Sequence, residues 1–324
     1  MPQQLFVFIQ LEFPWALGPA DGRYLLRDSA DGEPKRVVVL SALAAGRQPL
    51  GASAAPPWSG ASLLRRLRRG QTMPTGPEPA PVTTTRVTVI DPVSLAADNQ
   101  ARAWLAELDR DREVAAAVAV VNRVIHSHRI AAADPYVHEI SAAQALVIRA
   151  GWGEGEQVAD GRWLHARALP TPGGAGSASR PAGSRRGPGR DRSWALRPQE
   201  RLAALLGARG ETLLCEELAL RARQDLDHGR LAHAALELDR AFALAIPELH
   251  AERREDLAIR IAELEQLRPG VQAQAQSALP DGVAVETSAQ TPGYAAGDGL
   301  DEQVIEHALE RLEAALRART AAGI

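Results

Sequence analysis

Cysteine is nearly missing from this chain of 324 residues: Cys215 is its single example. That excludes an internal disulfide framework and fits a reducing compartment. Aromatic residues make up only 4%, which leaves few of the Trp and Tyr anchors that dominate binding hot spots. Lysine occurs once, as Lys35, among 37 basic residues. Together with the abundant alanine, this arginine bias follows from GC-rich codons, so the number of arginines by itself argues for no function. A strong excess of either sign of charge is also missing. The net charge of -3 speaks against a wholesale nucleic-acid binder. The longest aliphatic run, Val114 to Val121, is eight residues, well short of the roughly 20 that a membrane helix needs. The opening Met-Pro-Gln-Gln has no basic region and Glu12 interrupts the apolar stretch after it, so no signal peptide is expected. A chain without membrane contact, in the cytoplasm, is the expectation.

What is present divides the chain by composition. Leu5, Val7, Ile9, Leu11 and Phe13 alternate with Phe6, Phe8, Gln10 and Glu12, the period of a half-buried strand. Pro14 stops it. Asp21-Gly22 and Asp31-Gly32 then flank the runs Arg23–Arg27 and Arg36–Leu40; Asp-Gly suits tight hairpin turns, so an antiparallel meander is predicted. Residues 44–82, rich in Ala, Gly, Pro and Ser, read as a disordered insertion. A fourth strand is expected over Thr84–Ile90, a helix opening at Asp91-Pro92, and a buried helix from Arg112 to Ile130. Tyr136–Ile140 and Ala145–Arg149 suit strands, although Ser141 and Gln144 also make a capping-box spacing. Asp160-Gly161 predicts a hairpin between Glu156–Ala159 and Arg162–His165.

Residues 169–193 are almost wholly Pro, Gly, Ser, Ala and Arg, a linker. Beyond it the pattern is helical over 194–270, with Pro269-Gly270 as a stop. A second linker spans 271–298, and an amphipathic helix follows in 299–324. The fold class is therefore α+β: an N-terminal antiparallel β-meander with helices (residues 1–168), a small all-helical domain and a tethered C-terminal helix. Asp301 is placed to cap that last helix, and Glu313 and Arg317 to pair along it.

Several groups could carry chemistry. His126, His128 and His138, with Asp134 and Glu139 nearby, hold metal-ligand types within fourteen residues. On a helix, however, two residues apart is about 200° around the axis, so His126 and His128 point opposite ways, and His126, His128 and Arg129 also read as cations at the negative, C-terminal pole of a helix. Gly151-Trp152-Gly153-Glu154-Gly155 has the glycine content of a phosphate-cradling turn, but Glu154 and Glu156 oppose an anion and no dinucleotide or P-loop pattern is present. No cofactor is expected. Arg65–Arg69 and Arg180–Arg197 could contact nucleic acid or an acidic partner through phosphate-type pairing. Cys215 falls among Leu213, Leu214 and Leu218, the setting of an inert core thiol. Glu216-Glu217 and Glu255-Asp256 read as solvated helix faces.

Ala222, Gly229-Arg230-Leu231, Ala234, Leu238, Ala241 and Pro247 together form a stretch that resembles one tetratricopeptide-type helical hairpin. No second copy follows at the roughly 34-residue period of such arrays, so a plain αα-hairpin is the safer description. The resemblance implies a protein-binding groove. The expected function is a non-enzymatic adaptor that binds another protein through its helical half, with Leu231, Leu238, Phe242, Ile305, Leu309, Leu312 and Leu316 as interaction residues. The alternative is an enzyme or metal-binding protein with its site around the three histidines and the Gly151–Gly155 turn.

Overall fold

A computed structural model of the chain describes residues 4–43, 84–171, 198–279 and 299–321. The expected insertion over 44–82, nearly all of the 169–193 linker, most of the 271–298 linker and both arginine tracts lie outside the described residues. The fold is α+β: a six-stranded antiparallel sheet in the N-terminal part, then helices.

The strands are β1 (Leu5–Phe13), β2 (Gly22–Leu26), β3 (Arg36–Leu43), β4 (Thr84–Ile90), β5 (Val147–Glu154) and β6 (His165–Leu169). They lie in the order β2-β3-β4-β1-β5-β6. The meander is thus β2-β3-β4, and β1 sits in the middle rather than at its start. Glu12 faces Arg86 of β4, and Gln10 faces Thr88 of β4 and Arg149 of β5. Leu5, Leu11 and Phe13 are fully buried on one face, yet Gln10 and Glu12 on the other are buried too. The half-buried reading of β1 fails because a 3-10 segment, Gly155–Asp160, puts Val158 and Ala159 into the interior.

Other local expectations change for stated reasons. Asp91 does accept a backbone hydrogen bond, from Val93 at 3.0 Å, but this makes a turn that leads Leu95 into a bridge with Leu5. The helix, α1, is Asp98–Ala106. The next, α2, is Arg110–Ala132. Tyr136–Ile140 is no strand; its end is tied instead to Asn122 of α2, whose side chain bonds both the amide and the carbonyl of Ile140 at 2.8 and 2.9 Å. Ser141 and Gln144 form their capping arrangement, Ser141 N–H donating to Gln144 Oε1 at 2.8 Å, over a short 3-10 turn that feeds β5. The predicted hairpin at Asp160-Gly161 is the end of the 3-10 segment, with Gly161 at φ +80.

The remaining helices are α3 (Pro198–Leu206), α4 (Leu214–Asp227), α5 (Leu231–Ala251), α6 (Ala258–Ser277) and α7 (Glu302–Ala321). Pro269 does not stop α6, which carries it inside and runs on through seven of the residues assigned to the second linker. A proline in a helix forfeits one hydrogen bond; here Val271 and Ala275 beyond it are buried in the core, and their burial opposes that loss. Among the described residues no helix is long and apolar enough to cross a membrane. The chain forms two compact units. One comprises Met1–Arg23, Val39–Val114 and Ser141–Arg180; the other comprises Tyr24–Val38, Ala115–Ile140 and Pro181–Ile324.

Candidate functional site: the groove that holds the last helix

Helices α4 and α5 form the αα-hairpin. Gly229 turns between them at φ +70, a left-handed conformation that glycine adopts without penalty. Ala219, Ala222, Ala234, Ala235, Ala241 and Ala245 are all buried along the pair; small side chains there let two helix backbones approach closely. Helix α6 lies on α5, and α7 packs on α6, α5 and α4. The face of the hairpin where a peptide groove is implied is therefore occupied by helices of the same chain.

All seven expected interaction residues meet in one core. Leu238, Phe242, Ile305, Leu309 and Leu312 are buried, and Leu231 and Leu316 are partly buried against them. Burying Ile305, Leu309 and Leu312 of α7 contributes about 1.5–3 kcal/mol each before entropy is subtracted.

Polar contacts set the register of α7 within this groove. Arg223 of α4 is buried and forks onto Glu313, donating from Nε and Nη2 at 2.9 Å each. Burial, the largest single influence, disfavours the Arg223 cation, but the hydrogen bonds and charge of Glu313, with Asp227 and Glu306, outweigh it and raise its pKa. Asp227 lies 4.0 Å from Arg223 and accepts from the Tyr136 hydroxyl at 2.6 Å. At the far end Arg319 pairs with Glu252 and stands 3.8 Å from Glu216. Arg254 donates to the carbonyls of Arg319 and Ala318 at 2.7 and 3.3 Å, a cation on the negative end of α7. At its start Asp301 accepts from Gln303 and Val304 at 2.9 and 3.3 Å, the predicted N-cap, while its own N–H donates to Gln274 of α6 at 2.8 Å.

Glu216 is not on a solvated face. It is buried, takes the Arg201 guanidinium, and accepts from Leu213 N–H at 3.0 Å. Glu217 takes Arg129 at 2.7 Å and Arg221 at 3.0 Å. Arg223, Glu216, Arg319 and Glu313 were not singled out by sequence reasoning as a set. The available signal was spacing: Glu216 and Arg223 fall on the buried stripe of Cys215, Ala219, Ala222 and Leu226, where a charge needs a partner.

The other candidates are placed as follows. His126 and His128 both lie on α2; His126 Nδ1 is 4.0 Å from Glu217. Burial holds His128 and His138 below their ordinary pKa; Arg129 adds to this at His138, and Asp134 opposes it at both. Among the described residues no three His, Cys, Asp or Glu side chains stand close enough to hold a metal ion. Gly151 and Gly153 belong to β5 rather than to a turn. A Cβ on Gly151 would fall on the His165 carbonyl oxygen and 2.8 Å from Ala166 Cα, and one on Gly153 would stand 2.8 Å from Val158. The glycines let β6 and the 3-10 segment lie close. Cys215 is buried, and burial followed by Glu248 pushes its thiol pKa far up. Arg65–Arg69 and Arg180–Arg197 fall outside the described residues.

Compared with protein-family models, with curated proteins and with solved structures, the chain matches none.

Proposed function

We propose that the chain is a cytoplasmic, non-enzymatic adaptor whose helical half receives an amphipathic helix from another protein. The observation that carries this reading is the way α7 is held. Its apolar stripe fills the surface of α4, α5 and α6, and a buried arginine, Arg223, reads one acid of it, Glu313. A groove of this kind selects for pattern as well as hydrophobicity: apolar or small side chains at i, i+3, i+4 and i+7, with a carboxylate eight residues after the first. In this chain α7 itself meets the requirement, and a partner helix with the same pattern would take its place. The single cysteine supports the reducing compartment.

The test uses the full chain and a labelled peptide of residues 299–321. In the variant Glu313→Lys the chain's own helix opposes Arg223 and holds its seat less firmly. That variant should take up the wild-type peptide at least about tenfold more tightly than the wild-type chain does, a difference of about 1.4 kcal/mol. A peptide carrying lysine at the same place should bind neither. Equal binding of the wild-type peptide to both chains, or no binding to the variant, would reject the reading.

A further inference from the structure

The sheet carries a second unusual feature, on the face of β1 that its alternation suggested was solvated. Glu12 Oε1 accepts from two arginines on opposite sides. Arg86 of β4 donates from Nε and Nη2 at 3.2 Å each, and Arg149 of β5 donates from Nη1 at 2.7 Å. Arg149 Nη1 is also 3.2 Å from Gln10 Oε1, and Gln10 donates on to Thr88 Oγ1 at 2.9 Å. Gln10 and Thr88 are wholly enclosed, so the floor beneath the arginines is fixed.

Two guanidinium groups here share one carboxylate. Their remaining N–H groups have no acceptor among the described residues, and none of them is a buried orphan. Their side chains keep 20% and 26% of their surface, against 12% for Glu12, so the cations, more than the acid, reach the solvent. A ring stands beside them: Trp163 lies 6.0 Å from Arg149 Cζ and 5.6 Å from the Phe8 ring. Gly161 closes the corner, since a Cβ there would stand 3.1 Å from Arg86 Nη1 and 3.5 Å from the Trp163 ring. On the next strand the neighbour of Arg149 is Ala168, small and exposed. The result is a partly exposed pair of guanidinium groups with unshared donors, beside the Trp163 ring and next to the small Ala168 of β6.

We propose that Arg86 and Arg149 form a binding site for a ligand oxyanion, a carboxylate or a phosphate, whose adjoining flat portion lies against Trp163. Guanidinium forks match the paired oxygens of either group, and charge-assisted hydrogen bonds of this kind are the strong ones. Glu12 fixes the inner edges of both forks and leaves their outer edges turned to the ligand. An aromatic face suits a planar substituent in offset stacking.

The test is a titration of the full chain with benzoate and, separately, with phenyl phosphate, followed by calorimetry and tryptophan fluorescence at constant ionic strength held with sodium chloride. The expected result is saturable binding at one site per chain by at least one probe, the tighter of the two naming the oxyanion. Arg149→Gln should weaken it by about tenfold to a hundredfold. Arg149→Lys keeps the charge but loses the fork, and should fall between the two. Trp163→Leu should weaken both probes and abolish the fluorescence change. Circular dichroism establishes that each variant is folded, and Arg149→Lys serves if Arg149→Gln is not. The proposal is overturned if neither probe saturates, or if binding persists undiminished in a folded Arg149 variant.

Discussion

Removal of the Glu313 carboxylate is the most direct probe of how the helical unit is held together. In Glu313→Leu the Arg223 guanidinium stays inside the bundle, with Asp227 at 4.0 Å and the more distant charge of Glu306 still acting on it. Breaking a buried pair from one side costs about 3–5 kcal/mol, because the abandoned charge is left without compensation. Asp227 returns part of that, so a loss of about 3 kcal/mol is expected, the low end of that range. The companion variant Arg223→Met breaks the pair from the other side, and the double variant removes both charges. That double variant, Arg223→Met with Glu313→Leu, should lie within about 1 kcal/mol of the wild type, since a well-packed apolar pair of similar volume replaces a buried ion pair at little cost. The assay is urea unfolding followed by helical circular dichroism on the wild type, both single variants and the double variant, which closes a thermodynamic cycle. A coupling energy of about 2 kcal/mol is predicted. Single-variant effects that simply add within about 0.5 kcal/mol would refute the reasoning, for then the pair behaves like two independent surface charges.

The remaining predictions concern single sites. Gly151→Ala should cost about 1–3 kcal/mol by forcing β6 away from β5, whereas Gly22→Ala, where nothing lies within 4 Å of the added carbon, should leave the urea midpoint nearly unchanged. Asp301→Ala should cost about 1 kcal/mol through the lost cap of α7, visible in the same experiment. Cys215 should resist a thiol reagent in the native chain and react fully once urea unfolds it, as burial raises its pKa and excludes reagent; rapid native labelling would contradict the packing. Stability should depend on pH through His128 and His138. Both are harder to protonate in the folded chain, so the unfolded chain gains protons first. Their contribution is whole above the ordinary value of about 6.5 and drains as pH falls through it toward the lower folded values. The melting temperature should drop on acidification through that window, and His128→Gln should flatten the drop.

The fold class was legible because it rests on local signals. Alternation over β1 and β4, two Asp-Gly pairs and the threes and fours of the C-terminal half are read within windows of a dozen residues. Strand order was not legible, because β1 pairs with β4 and β5 across long separations that no local pattern encodes. The same limit explains Gln10 and Glu12. Their alternation is that of a solvated face, and only the arrival of Val158, Ala159 and the two arginines makes it an interior. Pro269 misled for an energetic reason: the rule that proline ends helices compares one lost hydrogen bond with nothing, and here burial of Val271 is on the other side. In the groove, the apolar members were readable from their spacing, and all seven proved to share a core. The charges that fix its register were not, since Arg223 and Glu313 stand 90 positions apart.

The central position of β1 has a consequence for the birth of the protein. It is synthesised before every other strand of this sheet, yet its partner on one side ends at Ile90 and on the other at Glu154. At ribosomal rates of about 5–20 residues per second, the strand waits roughly 7–28 s for its second neighbour. During that interval Leu5-Phe6-Val7-Phe8-Ile9 is an apolar segment with at least one edge unpaired, the kind of stretch that other nascent chains or a holding chaperone would meet before the sheet does. The two buried polar residues next in line, Gln10 and Glu12, interrupt that segment. In the newborn chain they are the gatekeepers of the strand whose interior they later occupy.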